Sequence, residues 1–226
     1  MGSSRLPGKI LKELNGKPIL HHIIDFLNFS EINKKIVIAT TDLKEDDVVY
    51  AFSKKLNIEC FRGSSQNVLE RFYKCAKRFN ADLIIRLTAD NPLVNPKIID
   101  DLIDLCKDYN CDYVSNCLHP TFPYGYSTCE IFTFSTLTKL YENQHDPESL
   151  EHVTYFIRQN PNLFNVKELK APLALSRPNW KLSVDTHDDY VKMQKIFLNL
   201  YRENSFIDYP TLVHFLDNNK QIINSE

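Results

Sequence analysis

The segment Ala81-Asp-Leu-Ile-Ile-Arg-Leu-Thr-Ala-Asp-Asn-Pro92 is an apolar run that ends in a polar cluster. Its first part, Ala81 to Leu87, has the composition of a buried strand. Pro92 obstructs continuation of that strand because proline has no amide hydrogen to donate to a neighbour. The carboxylate of Asp90 is therefore predicted to lie just beyond the strand. By itself, such a carboxylate is more often a helix cap than a ligand-binding group.

Apolar runs of this kind alternate along the chain with segments of helical periodicity. This alternation predicts an α/β fold with a Rossmann-like, doubly wound, mostly parallel sheet covered by helices on both faces. The predicted strands are Lys35 to Thr40, Ile58 to Arg62, Ala81 to Leu87, Asp112 to Ser115, Thr128 to Phe134 and Trp180 to Val184. The predicted helices are Ile19 to Phe29, Glu45 to Leu56, Asn67 to Arg78, Pro96 to Tyr109, two around Leu137 and His152, Asp188 to Asn204, and Tyr209 to Asn218.

Short polar clusters begin where the predicted strands stop. Any one of them can be explained as a capping turn, because Thr, Ser, Asp and Asn are favoured there. Ligands of open parallel sheets, however, bind beyond the carboxyl ends of the strands. Five such clusters together indicate one binding crevice. They are Ala39-Thr-Thr-Asp42, Arg62-Gly-Ser-Ser65, Thr88-Ala-Asp-Asn-Pro92, Ser115-Asn116 and Val184-Asp-Thr186.

The first nine residues, Met1-Gly-Ser-Ser-Arg-Leu-Pro-Gly-Lys9, have the composition of a phosphate-binding loop. The glycines let the backbone approach an anion, the serines offer hydroxyl donors, and Arg5 and Lys9 supply fixed positive charge. The loop is not a Walker A motif, because five residues separate Gly2 from Gly8 and isoleucine follows the lysine. On composition alone, a flexible basic N-terminus is the simpler interpretation.

The composition limits the function classes. A chain of 226 residues fits one α/β core, and a formal net charge of −2 with scattered lysines gives no footprint for nucleic acid. The sequence contains no apolar run of about 20 residues and no signal-peptide pattern, so we expect a cytoplasmic protein without membrane association. The six cysteines lack Cys-x-x-Cys spacing, and we expect reduced thiols and no structural zinc.

The opening loop, followed by Leu14-Asn-Gly-Lys-Pro18, resembles the nucleotide-binding start of the cytidylyltransferases related to CMP-Kdo and acylneuraminate synthetases. The branch of spore-coat-polysaccharide biosynthesis proteins is the most similar. The resemblance implies the nucleotide-diphospho-sugar transferase type of fold and a loop that closes over the triphosphate of CTP. It assigns nucleotide binding to Gly2, Ser3, Ser4, Arg5, Lys9, Thr41, Asp42 and Thr88.

Two acidic motifs also resemble those of this family, Leu87-Thr-Ala-Asp-Asn-Pro-Leu93 and Leu182-Ser-Val-Asp-Thr-His-Asp-Asp189. The family's aspartates at these places hold magnesium beside the nucleotide phosphates. Mg²⁺ prefers oxygen ligands and commonly uses one or two carboxylates together with phosphate and water. The resemblance thus makes Asp90 and Asp185 the metal ligands, and catalytic residues together with Arg5 and Lys9. The acids that follow Asp185 are expected to cap a helix.

A third set of motifs resembles the acceptor side of the family. Within Phe61 to Phe72, Asn67 replaces the usual aspartate and Phe72 the usual tyrosine, whereas Arg71 is retained. Residues 117–175 are expected to form an inserted acceptor and dimerisation lobe of a single nucleotidyltransferase domain over 1–226, in a homodimer. The residues assigned to the acceptor are Arg71, Gly125, Glu130, Glu151 and His152.

The implied reaction is transfer of CMP from CTP to a sugar acid or related acceptor, with release of pyrophosphate, for surface-glycan synthesis. A nucleotide-sugar glycosyltransferase is an alternative, although the loop with Arg5 and Lys9 suits a free triphosphate better than a sugar diphosphate. A non-catalytic nucleotide-binding module is a further alternative. Nicotinamide chemistry is not favoured, because no Gly-x-Gly-x-x-Gly opens a predicted βα turn.

Relatives of this family begin with an apolar strand ahead of the loop, so Met1 stands at an internal position of the pattern. Burying five or six side chains of such a strand contributes on the order of 10 kcal/mol. We therefore expect either a native start further upstream or a degenerate product. A natural protein whose intact mass matches Met1 to Glu226 and which is fully active would contradict this expectation.

Overall fold

The computed structural model describes residues 1–223, which fold into β-strands covered by helices. Short 3₁₀ turns occur at Lys9–Leu11, Lys44–Asp46, Pro161–Leu163 and Leu173–Leu175. The strands are β1 (Glu13–Leu14), β2 (Lys17–Pro18), β3 (Val37–Thr41), β4 (Glu59–Gly63), β5 (Leu83–Arg86), β6 (Tyr113–Ser115), β7 (Glu130–Thr133) and β8 (Val166–Glu168). The helices are α1 (Ile19–Leu27), α2 (Asp47–Lys55), α3 (Val68–Arg78), α4 (Pro96–Tyr109), α5 (Phe134–Asn143), α6 (Pro147–His152), α7 (Tyr155–Gln159), α8 (His187–Leu200), α9 (Tyr209–Asn218) and α10 (Lys220–Ile223).

The strands form a four-stranded sheet, a parallel pair and a hairpin. The sheet has the order β5-β7-β6-β8, β3 pairs with β4, and β1 pairs with β2. Strand β7 runs antiparallel to both of its neighbours, so β5, β6 and β8 share one direction. The predicted α/β class with a mostly parallel sheet is confirmed. No helix among residues 1–223 combines the length and the apolarity that a membrane crossing requires.

Helices cover both faces of the four-stranded sheet, because successive strand residues point to opposite sides. Val114 and Ile131 belong to the larger apolar cluster, which also contains buried residues of α1, α4, α8 and α9. Their chain neighbours Tyr113 and Phe132 belong to a second cluster with residues of α3, α5 and α7. Burial of each large apolar side chain contributes about 1.5–3 kcal/mol, so this double-sided packing fixes the strand register.

The helix boundaries follow capping chemistry that the sequence contains. The side chain of Asn67 accepts a hydrogen bond from the amide of Glu70 at 2.7 Å and so begins α3. Asn95 caps α4 in the same way, with Pro96 in its first turn. Because asparagine and aspartate cap helices about equally well, replacement of the family's usual aspartate by Asn67 preserves this helix start.

Most predicted elements are confirmed within a few residues, and α4 and α9 have the predicted bounds. The predicted strand Trp180 to Val184 is wrong. In the described part of the chain this segment makes one isolated bridge, Tyr124 to Lys181, and runs beside loops instead of joining the sheet. Helix α8 ends at Leu200 because the next residue, Tyr201, is extended and packs its ring against α1.

Sequence reasoning missed strand β8, the β1–β2 hairpin and the short helices α7 and α10. Strand β8 lies at the sheet edge, and its three residues give too short a pattern to detect. The β1–β2 hairpin turns at Asn15 and Gly16, whose φ angles are 49° and 80°. Asn-Gly is the preferred pair for such a two-residue hairpin, so its signal was present in the sequence.

Residues 117–175, predicted as an inserted lobe, contribute directly to the sheet. Strand β7 lies between β5 and β6, and β8 pairs with β6 on the other side. Helices α5 and α6 of the same segment pack against α3. The segment therefore shares the central sheet with the rest of the chain, and its roles in acceptor binding and dimerisation stay predictions.

Gly125 is predicted to be essential for folding. It has a φ of +85°, and a Cβ atom there would lie 2.3 Å from the backbone nitrogen of Ser183. Gly125→Ala should lower the free energy of unfolding by about 2–5 kcal/mol through left-handed strain and overpacking. Urea denaturation measures this change.

Gly16→Ala is the matched control. Gly16 has a φ of +80°, but among the described residues no atom lies within 4 Å of the added Cβ. It should therefore show only the strain of the backbone conformation, about 1–2 kcal/mol. Equal destabilisation by the two substitutions would contradict the proposed close contact at Gly125.

Candidate active site

The ammonium group of Lys9 lies between two carboxylates. Its Nζ atom is 3.2 Å from Oδ2 of Asp90 and 3.1 Å from Oδ1 of Asp185. The partners are 81 and 176 positions away along the chain. The Lys9 side chain is 15% exposed, that of Asp185 14% and that of Asp90 31%, so the ion pairs are only partly open to solvent. A guanidinium nitrogen of Arg5 also lies 3.5 Å from Oδ1 of Asp185, so the structure brings together all four residues predicted to be catalytic.

Backbone hydrogen bonds place the two carboxylates side by side. Asp90 follows β5 in a turn in which the Asn91 amide donates to the Thr88 carbonyl at 3.2 Å. The side-chain amide of Asn91 also donates to the Thr88 hydroxyl oxygen at 2.8 Å. The amide of Val184 then donates to the carbonyl of Asp90 at 2.8 Å. This last bond joins the segment that carries Asp185 to the end of β5.

Asp185 is surrounded by donors. Its Oδ2 accepts a hydrogen bond from the Ser183 hydroxyl at 2.8 Å and lies 3.2 Å from Nζ of Lys181. Its Oδ1 lies 3.5 Å from a guanidinium nitrogen of Arg5, in addition to its bond with Lys9. Burial opposes the charged form, but the hydrogen bonds from Ser183, Lys9 and Lys181 lower the pKa of Asp185 to about 2. This carboxylate is therefore ionised at neutral pH.

Lys181 and Ser183 were missed by sequence reasoning. Lys181 lies four residues before Asp185 and Ser183 lies two residues before it, so an extended backbone places all three side chains on one side. Lys181 is fixed in turn by Asp189, which accepts its ammonium at 2.6 Å and the Thr186 amide at 3.0 Å. Thr186 and Asp189 form a capping box on α8, which confirms that an acid after Asp185 caps this helix.

The N-terminal loop is held at Met1, Leu6 and Lys9, and the residues between these points are half-buried or exposed. Leu6 is 6% exposed and belongs to the larger apolar cluster. The hydroxyl oxygen of Ser3 accepts a hydrogen bond from the Leu6 amide at 3.3 Å. Gly2, Ser4 and Arg5 are exposed. The loop thus presents its polar groups to solvent beside the paired carboxylates, and their predicted role in phosphate binding stays a prediction.

A third carboxylate, Asp46, joins the carboxyl end of β3 to the N-terminus. Its Oδ2 accepts the hydroxyls of Thr40 and Thr41, each at 2.6 Å, and its Oδ1 pairs with the amino group of Met1. Burial opposes ionisation, but these donors lower the pKa of Asp46 below its usual range. The Thr41 hydroxyl is thus already engaged, whereas Asp42 is exposed. Their predicted nucleotide contacts remain to be tested.

Glu130, predicted to bind the acceptor, is buried in a polar network. It is 4% exposed, and its carboxylate accepts the Tyr113 hydroxyl at 2.8 Å. The Thr154 hydroxyl and the Arg86 guanidinium also donate to it. A ligand at Glu130 would have to compete with these three donors. Sequence reasoning missed the network because its members come from four separate elements.

The other residues predicted on the acceptor side are spread over the structure. Arg71 donates to the carbonyl of Ser64 at 2.6 Å, at the end of β4. Glu151 and His152 are exposed on α6. Gly125 packs against the backbone of the segment that leads to Asp185. Among the contacts recorded for residues 1–223, none joins these four residues into one cluster, and their acceptor roles stay predictions.

The two carboxylates around Lys9 fit a Mg²⁺ ion. They converge on a single positive group, and carboxylate oxygens are the ligands that Mg²⁺ prefers. Within residues 1–223, no group of three or more His, Cys, Asp or Glu side chains is placed to hold a metal ion. Asp90 and Asp185 are the residues that would hold a Mg²⁺ ion, and phosphate and water would complete the coordination.

The fold and the site define a class of enzyme. A solved cytidylyltransferase from Leptospira borgpetersenii serovar Hardjo-bovis superposes with a TM-score of 0.91 at 32% identity, covering 100% of this chain and 94% of that one. A CMP:2-keto-3-deoxy-manno-octonic acid synthetase complexed with CTP has the same fold, with a TM-score of 0.62 at 18% identity over 87% and 94% of the two chains. The protein has the nucleotide-diphospho-sugar transferase fold of the nucleotidyltransferases.

Sequence comparison narrows this class to a family. The family model described as Cytidylyltransferase matches residues 1–222. The spore coat polysaccharide biosynthesis protein SpsF of Bacillus subtilis is 34% identical over 202 residues, which cover 87% of this chain and 82% of that protein. The chain belongs to the cytidylyltransferase family, as the sequence motifs predicted.

The ion pairs of Asp185 predict an acid-dependent loss of stability. Its pKa in the folded protein, about 2, is below the usual value of 3.8, so its stabilising effect is complete above about pH 4 and disappears as the pH falls towards 2. Asp185→Asn should reduce the fall in the free energy of unfolding over this pH range, because asparagine does not titrate. The expected reduction is about 1–2 kcal/mol, since solvent screening lowers the full effect of the pKa shift. Urea denaturation between pH 2 and 5 measures it.

Asp188→Asn provides the control for this experiment. Asp188 is exposed, and among the contacts recorded for residues 1–223 its carboxylate has no ion-pair partner. Its substitution should leave the acid part of the profile as in the wild type. If the profile of Asp185→Asn ran parallel to that of the wild type, the ion pairs of Asp185 would not be the cause of the loss of stability in acid.

Proposed function

We propose that this protein is a CTP-dependent cytidylyltransferase that transfers CMP to a sugar acid or related acceptor for surface-polysaccharide synthesis. The observation that carries the proposal is the convergence of Lys9 with Asp90 and Asp185, beside a loop that exposes Arg5. This arrangement joins fixed cations for a triphosphate to a carboxylate pair for a divalent cation. Membership of the cytidylyltransferase family supports CTP as the nucleotide.

In the proposed reaction, an oxygen of the acceptor attacks the α-phosphorus of CTP. A bond forms between them while the bond from that phosphorus to the bridging oxygen breaks, so pyrophosphate leaves with the electron pair. The acceptor hydroxyl releases its proton to solvent. Arg5 and Lys9 bind the β- and γ-phosphates and neutralise the charge that develops on the leaving group. Mg²⁺ held by Asp90 and Asp185 would supply Lewis-acid stabilisation of the phosphate oxygens.

The acceptor class is proposed from the relatives. The name of the Bacillus subtilis protein refers to spore coat polysaccharide biosynthesis. The solved synthetase complexed with CTP is named for 2-keto-3-deoxy-manno-octonic acid, a sugar acid. A sugar acid is anionic, and Arg71 lies near the carboxyl end of β4, where its side chain donates to the Ser64 carbonyl and has no ion-pair partner among residues 1–223. This cation supports an acceptor that carries a carboxylate.

Nucleotide selectivity tests the first half of this proposal. With Mg²⁺ present, CTP should raise the thermal midpoint by roughly 5–10 °C at about 100 times its Kd, because ligand binding stabilises only the folded state. UTP, ATP and GTP should give smaller shifts, and chelation of the metal should remove the CTP effect. A folded sample that shows no shift with CTP and Mg²⁺ would contradict the proposal.

Substitution of the carboxylates tests the second half. Asp90→Asn and Asp185→Asn should each lower kcat by about 100-fold or more, because the electrostatic support of the phosphates is lost. Pyrophosphate release with a panel of sugar-acid acceptors is the measurement. Asp188→Asn is the control and should turn over at the wild-type rate. Wild-type turnover by either active-site variant would refute this role of the carboxylates.

A further inference from the structure

The ammonium of Lys9 occupies the place between the two carboxylates where a divalent cation would bind. Among residues 1–223, Lys9 is the only cation within ion-pair distance of Asp90. Asp185 has further cationic neighbours in Arg5 and Lys181, but neither touches the other carboxylate. Among residues 1–223, Lys9 is therefore the cation that contacts both carboxylates.

Lys9 cannot serve the carboxylates and a triphosphate equally at the same time. A single ammonium has three donors at one point, and two of its contacts, at 3.1 and 3.2 Å, are already used by the carboxylates. Its side chain has four carbon–carbon bonds, so the ammonium can move to an arriving phosphate without a change in the backbone. Once it moves, Asp90 loses its only ion-pair partner among residues 1–223, whereas Asp185 keeps Arg5 and Lys181.

A metal ion that binds without nucleotide is repelled by the ammonium of Lys9, which still lies between the carboxylates. It meets a carboxylate pair that is already neutralised in part and a positive charge about 3 Å from both oxygens. Repulsion between like charges at this distance in a partly buried site lowers the affinity for the ion. A nucleotide triphosphate removes this obstacle, because its negative charge offers Lys9 another partner.

We propose that Lys9 is a placeholder cation that makes binding of the divalent metal depend on binding of the triphosphate. The lysine holds Asp90 and Asp185 together while the nucleotide is absent, and it exchanges the carboxylates for phosphate when the metal and the nucleotide enter together. This inference rests on the proposed function for the identity of the nucleotide. The part that concerns the free metal rests on the geometry of the three side chains alone.

Titration with Mn²⁺ in the absence of nucleotide, followed by electron paramagnetic resonance of the free ion, tests the placeholder role. The wild type should bind weakly. Lys9→Met and Lys9→Gln, which remove the charge, should each bind Mn²⁺ at least about tenfold more tightly. Lys9→Arg keeps the charge and should bind as weakly as the wild type.

Two controls separate this effect from a general change of surface charge. Lys12→Met removes a nearby lysine whose ammonium lies 5.4 Å from the ring centre of Tyr190, away from the carboxylates, and should leave Mn²⁺ binding unchanged. Asp185→Asn introduced into Lys9→Met should abolish the gain. Circular dichroism of each variant establishes that it is folded.

The outcome distinguishes the placeholder role from the proposed function. If both neutral Lys9 variants are folded and bind Mn²⁺ no more tightly than the wild type, the placeholder role is wrong, whatever the enzyme does with CTP. Thermal shift of the wild type with CTP and Mg²⁺, measured in parallel, reports on the proposed function. A flat shift combined with a tenfold gain in Lys9→Met would refute the nucleotide assignment and retain the control of metal binding by Lys9.

Discussion

The ion pairs of Lys9 with Asp90 and Asp185 join three distant parts of the chain, and the candidate site depends on them. The lysine follows the N-terminal loop, one aspartate ends the β5 turn, and the other precedes α8. Because the groups are partly buried, loss of any one leaves charge that solvent compensates poorly. The same ion pairs therefore hold the N-terminal loop and the two aspartate-bearing segments together at the proposed nucleotide site.

The edge of the sheet from which the Asp90 turn leaves is joined by a second set of polar contacts. Strand β7 runs antiparallel between β5 and β6, so it begins at the edge where those two strands end. Glu130, the first residue of β7, faces Arg86, the last residue of β5, across one register pair. Their salt bridge and the hydrogen bonds from Tyr113 and Thr154 join β5, β6, β7 and the start of α7 at that edge.

Local patterns in the sequence were sufficient for much of the fold. The start of α4 could be read from Asn95 and Pro96, and the start of α3 from Asn67, because capping acts over three or four residues. The segment Trp180 to Val184 was misread for the same reason. Its apolar alternation is that of a strand, but its neighbours in space are loops, with which it forms one isolated bridge in the described part of the chain.

The sequence by itself determined the chemistry available to this protein: a loop with two cations, two carboxylates after apolar segments, and membership of a family. Only the tertiary structure decided which charges meet. It placed one ammonium between two carboxylates 81 and 176 positions away, and it buried Glu130 among its own donors. The physical reason is that side-chain identity is local, whereas electrostatic energy depends on distances of a few ångströms that are set by packing across the whole sheet.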